Sequence, residues 1–153
     1  MPSVDLEQAE PDLVDHFHNV RDLFEKNLPL WGLRVECTLR SDAEQLTAFL
    51  NGASKIDPRD PEQHKRAMHL ADANGKSRAV DVEIYSRASG RSADRLLALK
   101  VMTQGSYDLL YLVLMLLVER CGLRSGNDWD QNGIRVGQDS QTFFDGGHME
   151  LKT

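Results

Sequence analysis

The stretch LLYLVLMLLV, Leu109 to Val118, constrains the fold more than any other. No charge interrupts it, so protein or lipid must cover it. A bilayer-spanning helix needs about 20 apolar residues, and this run is far shorter. It reads as the core part of a helix over 107–121, with Ser106 as cap and Gly122 as terminator. A chain of 153 residues suits one core. A single domain over 1–153 is therefore expected, opening with a helical segment over 1–30.

Elements to cover that helix are legible on both sides. Leu13, Val14, Phe17, Val20, Leu23, Phe24 and Leu28 recur at helical spacing over 12–28, and Pro29 ends the pattern. RVECTL, Arg34 to Leu39, alternates, with Val35, Cys37 and Leu39 on one face. RAVDVEIY, Arg78 to Tyr85, alternates too: Val80, Val82 and Ile84 face the core, and Asp81 faces away. Ser41 and Glu44 form a capping-box pattern before Leu46, Phe49 and Leu50. Residues 51–63 are a turn-rich connection with a short helix starting at Asp60–Pro61, and a further helix is expected over 92–103. The last thirty residues read as loops and short strands, closing on HMEL. The fold class is α+β, a small antiparallel sheet flanked by helices.

The net charge of −6 argues against a nucleic-acid or anionic-membrane partner, and no membrane insertion is expected. The acidic N-terminus, MPSVDLEQAEPDL, lacks the basic start and apolar run of a Sec signal, so synthesis in a cytoplasm is expected. Cys37 and Cys121 lack zinc-ribbon spacing and read as buried, small apolar residues.

Arg40, His69, Asp81, Asp145 and His148 lie at the ends or polar faces of these elements. A catalytic zinc takes three protein ligands and leaves one position open. His69, Asp81 and His148 would supply two imidazoles and a carboxylate. Glu150 lies on the same strand face as His148 and could orient its ring. Gly146 and Gly147 permit a tight turn that brings Asp145 to the same point, where it suits a general base. Arg40 suits a developing oxyanion or a substrate carboxylate. The competing reading has Asp81 in a surface ion pair and His148 as a lone surface histidine. No HExxH or CxxC motif decides between them. Trp129 reads equally as pocket wall or core aromatic, and Asp128 and Asp130 read as turn residues.

Four segments, in order, carry a resemblance: VECTLRSDAEQ (Val35 to Gln45); His69 followed by SRAVDVEIY; LRSGNDWDQNG (Leu123 to Gly133); and FFDGGHMEL. In these the chain resembles the zinc peptidases that include D-alanyl-D-alanine carboxypeptidases and phage L-alanyl-D-glutamate endopeptidases. The resemblance implies a Zn2+ cofactor on His69, Asp81 and His148, with Asp145 as base and Arg40 orienting substrate. Gln45 matches the family's helix glutamine without an assigned role. The chain departs from the pattern at Ala67, where the family writes serine, and in a longer stretch between His69 and Asp81. His64 therefore stays an alternative first ligand.

The implied substrate is a peptidoglycan stem peptide, cut at the L-alanyl-D-glutamate bond. A D,D-carboxypeptidase would share every ligand, and a non-catalytic wall-binding or virion protein is the alternative of another class. The resemblance further implies a monomer acting in the cell wall or periplasm, after holin-type release or virion delivery.

Overall fold

The computed structural model describes residues 2–129, 131, 133, 135 and 144–152. The expectations on Asp130, Phe143 and most of the loop between Trp129 and Phe144 lie outside these residues.

Helix α1 (Pro11–Asn27) opens on proline at its first position and buries Leu13, Phe17, Val20 and Phe24. Strand β1 (Trp31–Cys37) follows, then α2 (Asp42–Leu50) and the single turn α3 (Pro61–His64). Strand β2 (Ala79–Ser86) is central. Helices α4 (Ala93–Ala98) and α5 (Gln104–Arg120) lead to β3 (Leu123–Ser125) and β4 (His148–Leu151). The strands form one sheet in the order β1-β2-β4-β3, each neighbouring pair antiparallel. The architecture is α+β, as the patterning predicts.

One face of the sheet carries the core. Val80, Val82, Ile84, Leu33 and Met149 pack with the apolar faces of α1 and α5, among them Phe17, Phe24, Leu110 and Leu114. The period-2 pattern of β2 sends Asp81 and Glu83 to the opposite face. That face holds the candidate site.

Several expectations need correction. Thr103, not Ser106, caps α5: its hydroxyl oxygen accepts from the Ser106 N–H at 3.1 Å. The expected helix over 92–103 is only Ala93–Ala98, because Lys100 takes a left-handed φ of 58° and turns the chain. The apolar run of α5 is not covered all round, since Leu109 is 60% exposed and Leu116 50%. In α2 the buried residue is Gln45, while Leu50 is exposed. Cys121 is only partly buried.

The largest correction concerns β1. Val35 pairs with Val82, but Cys37 pairs with Asp81, so one extra residue, Glu36, bulges from the ladder. A bulge reverses the facing of everything after it. Strict alternation puts Cys37 on the core face with Val35; the bulge delivers it to the site face. Among the described residues no helix is long and apolar enough to cross a membrane.

Candidate metal centre and its cleft

The register of β2 and β4 sets Asp81 directly opposite His148. Both side chains therefore leave the same sheet face, close enough to touch. His148 Nδ1 lies 2.9 Å from Asp81 Oδ1. His69 comes from the turn-rich stretch after α3 and is 4% exposed. Its Nε2 lies 3.1 Å from the same Oδ1. The two rings meet edge to face at 5.2 Å. Asp145 Oδ2 is 3.8 Å from His148 Nδ1. Arg40 Nη2 donates to Asp81 Oδ2 and Nη1 to Gln45 Oε1, each at 3.2 Å.

The structure thus brings together all five residues singled out in the sequence. His64 is not among them: its Nε2 faces Asp42 Oδ1 at 3.0 Å on the surface.

Each histidine is oriented by a partner behind it. His69 Nδ1–H donates to the Thr38 carbonyl at 2.6 Å. Thr38 is itself pinned, its hydroxyl donating to the carbonyls of Ser3 and Asp5 and its N–H to Ser3. His148 Nε2–H donates to Glu150 Oε2 at 2.9 Å, the carboxylate–histidine arrangement expected from the strand pattern. Glu150 Oε1 faces Arg124 at 3.4 Å. Arg124 donates to the Trp129 carbonyl and lies over its ring, and that ring sits 5.3 Å from His148.

This arrangement tests whether a metal fits. A carbonyl oxygen only accepts, so Thr38 fixes the proton of neutral His69 on Nδ1. Nε2 is then a bare lone pair, buried and without a hydrogen-bond partner, facing a carboxylate oxygen. The same logic gives His148 a bare Nδ1 facing Asp81. Three electron-rich atoms converging out of water require a positive charge among them. Two imidazoles and a carboxylate are donors that zinc takes. Two potential ligand groups are present among the described residues, Cys37–His69–Asp81 and Asp81–Asp145–His148, and Asp81 belongs to both.

The protonation energetics agree. Burial disfavours charge on His69, but the Asp81 carboxylate outweighs it and pushes the ring up to about 9. Burial likewise opposes charge on His148, yet Asp81 and Glu150 raise it well above the usual range. Asp81 is held well below its usual range, because both histidines overcome its desolvation. Each of these groups favours a cation at the centre, a proton or a metal. Asp145 differs: burial raises its carboxyl, with His148 opposing.

The glycines act by close approach, not by left-handed backbone. A Cβ on Gly147 would lie 1.9 Å from the Val82 carbonyl oxygen, and one on Gly126 2.1 Å from the Asp145 carbonyl oxygen. The chain passes tightly here, and a turn bond from His148 N–H to Asp145 O at 3.0 Å sets the two side chains side by side.

Two residues gain roles that sequence reasoning missed, and Trp129 takes the pocket-wall place of its two readings. Cys37 Sγ lies 3.6 Å from His69 Nδ1, an effect of the bulge. Gln45, through its Nε2, also holds Ser54 Oγ and the Ile56 carbonyl, tying that loop to Arg40. Trp129 lines the cleft. The cleft holds about 420 Å³ and is lined by Arg40, His69, Asp145 and His148 with the 53–56 loop, Met68 and Trp129.

No family model matches the chain, and no curated protein does. A solved structure does match: the Serratia marcescens L-Ala D-Glu endopeptidase ChiX aligns over 96% of this chain and 83% of that chain, with a TM-score of 0.53 and 20% identity. The chain is similar to that protein in fold.

Proposed function

We propose that this chain is a zinc-dependent peptidase that cuts peptidoglycan stem peptides at the L-alanyl-D-glutamate bond. The observation that carries the reading is the convergence of His69 Nε2 and His148 Nδ1 on Asp81 Oδ1, at 3.1 and 2.9 Å, beside a cleft that both histidines line. The fold shared with an L-Ala D-Glu endopeptidase supports the bond class.

His69, Asp81 and His148 hold the metal in this reading. Zinc held there supplies a Lewis acid. Asp145 takes the proton of the attacking water and returns it to the leaving amine. Its carboxylate lies 3.8 Å from His148 Nδ1, beside the proposed ligands, where it can reach that water. Arg40 keeps N–H donors beyond those used by Asp81 and Gln45, and these meet the developing oxyanion or a substrate carboxylate. Glu150 holds the His148 ring. The chain acts as a monomer in the cell wall, reached by holin-type release or virion delivery.

Turbidity loss of purified sacculi tests this reading. Zinc-loaded protein should clear them, and a chelator should stop it. Failure of zinc-loaded protein to clear them favours a wall-binding protein instead.

A further inference from the structure

Four cations line the cleft: Arg40, Lys55, Arg66 and Arg124. The chain as a whole carries −6, so basic charge is gathered here against the general balance. Two carboxylates, Asp145 and Glu150, line it as well, so cations outnumber anions four to two, and such a surplus raises the local concentration of anionic ligands. Arg40 and Arg124 bind groups of the protein itself, Arg40 serving Asp81 and Gln45, and Arg124 serving Glu150 and the Trp129 carbonyl.

Arg66 is placed differently. It is exposed, on the turn after α3, three residues before His69. The turn is held by its backbone, Arg66 N–H to Gln63 O at 2.9 Å and Ala67 N–H to His64 O at 3.1 Å. Asp60 feels its charge, but no ion pair forms between them. Arg66 thus lines the cleft from a hydrogen-bonded turn, beside the buried Ala67 and Met68.

We propose that Arg66 is a specificity-determining residue that reads a free carboxylate on the substrate, so that the cleft selects acidic peptides over their amidated counterparts. This rests on the cleft being the peptide site of the proposed peptidase. A guanidinium meets a carboxylate with two charge-assisted hydrogen bonds. A primary amide in its place loses the charge and turns one N–H towards the guanidinium. At an exposed site the difference is about fivefold to tenfold in affinity.

The test is calorimetric titration of the zinc-loaded Asp145→Asn protein, which should hold peptide without cutting it. The probes are L-alanyl-γ-D-glutamyl-L-lysine and the same peptide with the glutamate carboxylate amidated. The acidic peptide should bind about fivefold or more tighter. Arg66→Met should abolish that preference, and Arg91→Met, an equal charge change outside the cleft, should keep it. Equal affinity for the two peptides, a preference that survives Arg66→Met, or no binding of either overturns the proposal. The binding readout separates this from the peptidase reading: a preference lost in Arg66→Met stands even if the unsubstituted protein cleaves neither peptide.

Discussion

Asp81 of β2 and His148 of β4 are register partners, and their facing atoms lie 2.9 Å apart. This one pairing fixes the geometry of the site. The sheet holds both side chains stiffly, and His69 completes the group from a connection pinned through Thr38.

Metal content should separate ligands from base. His69→Ala and His148→Ala should each lower zinc affinity by about 100-fold or more, while His64→Ala leaves it unchanged, because His64 pairs with Asp42 instead. Asp145→Ala should keep the metal and lose activity. Equilibrium dialysis with metal analysis reads all four. Zinc loss in His64→Ala with retention in His69→Ala would reverse the assignment.

Glu150→Gln should weaken zinc binding by about 10- to 100-fold without unfolding the protein, since it loosens the His148 ring and leaves the ligand in place. Competition against a chelator of known affinity measures this. An unchanged affinity would reduce Glu150 to a partner of Arg124.

Gly147→Ala should destabilise by about 3 kcal/mol or more, because its Cβ would sit 1.9 Å from backbone that cannot yield. Gly105→Ala meets nothing within 4 Å in the first turn of α5 and should be neutral or stabilising by about 0.5 kcal/mol. Denaturant midpoints compare the two. A harmless Gly147→Ala would mean that the chain does not pass Val82 this closely.

Glu119 provides a pH prediction away from the metal ligands. Burial and the neighbouring Asp128 raise its carboxyl from 4.5 to about 7, and its Oε1 has no hydrogen-bond partner. The folded state then holds this proton more tightly than the unfolded chain. The stabilisation is complete below pH 4.5 and is lost as pH rises through about 7. Glu119→Gln should remove that loss, so the variant should gain about 3 °C in Tm over the unsubstituted protein at pH 8 relative to pH 5. Parallel Tm differences at both pH values would contradict it.

The regular elements and the site residues on them were legible because period and position carry them. Asp81 lies on the polar face of an alternating strand, and Glu150 follows His148 by two. Capping chemistry likewise announced α2 through Ser41 and Glu44. What stayed hidden depends on contacts made across the fold. The bulge at Glu36 has no local signal, so strict alternation puts Cys37 on the wrong face. Gln45 is buried by partners on a loop nine and eleven residues away, which helical periodicity does not register. The apolar character of α5 overstated its burial, because the fold covers only one side of it.

Mass spectrometry of the soluble fragments released from purified sacculi by zinc-loaded protein tests the central claim most directly. The account predicts stem-peptide fragments with a newly exposed D-glutamate amine, and none from His148→Ala. Release of terminal D-alanine alone would move the same centre to carboxypeptidase chemistry. Sacculi with every stem peptide intact would contradict the claim.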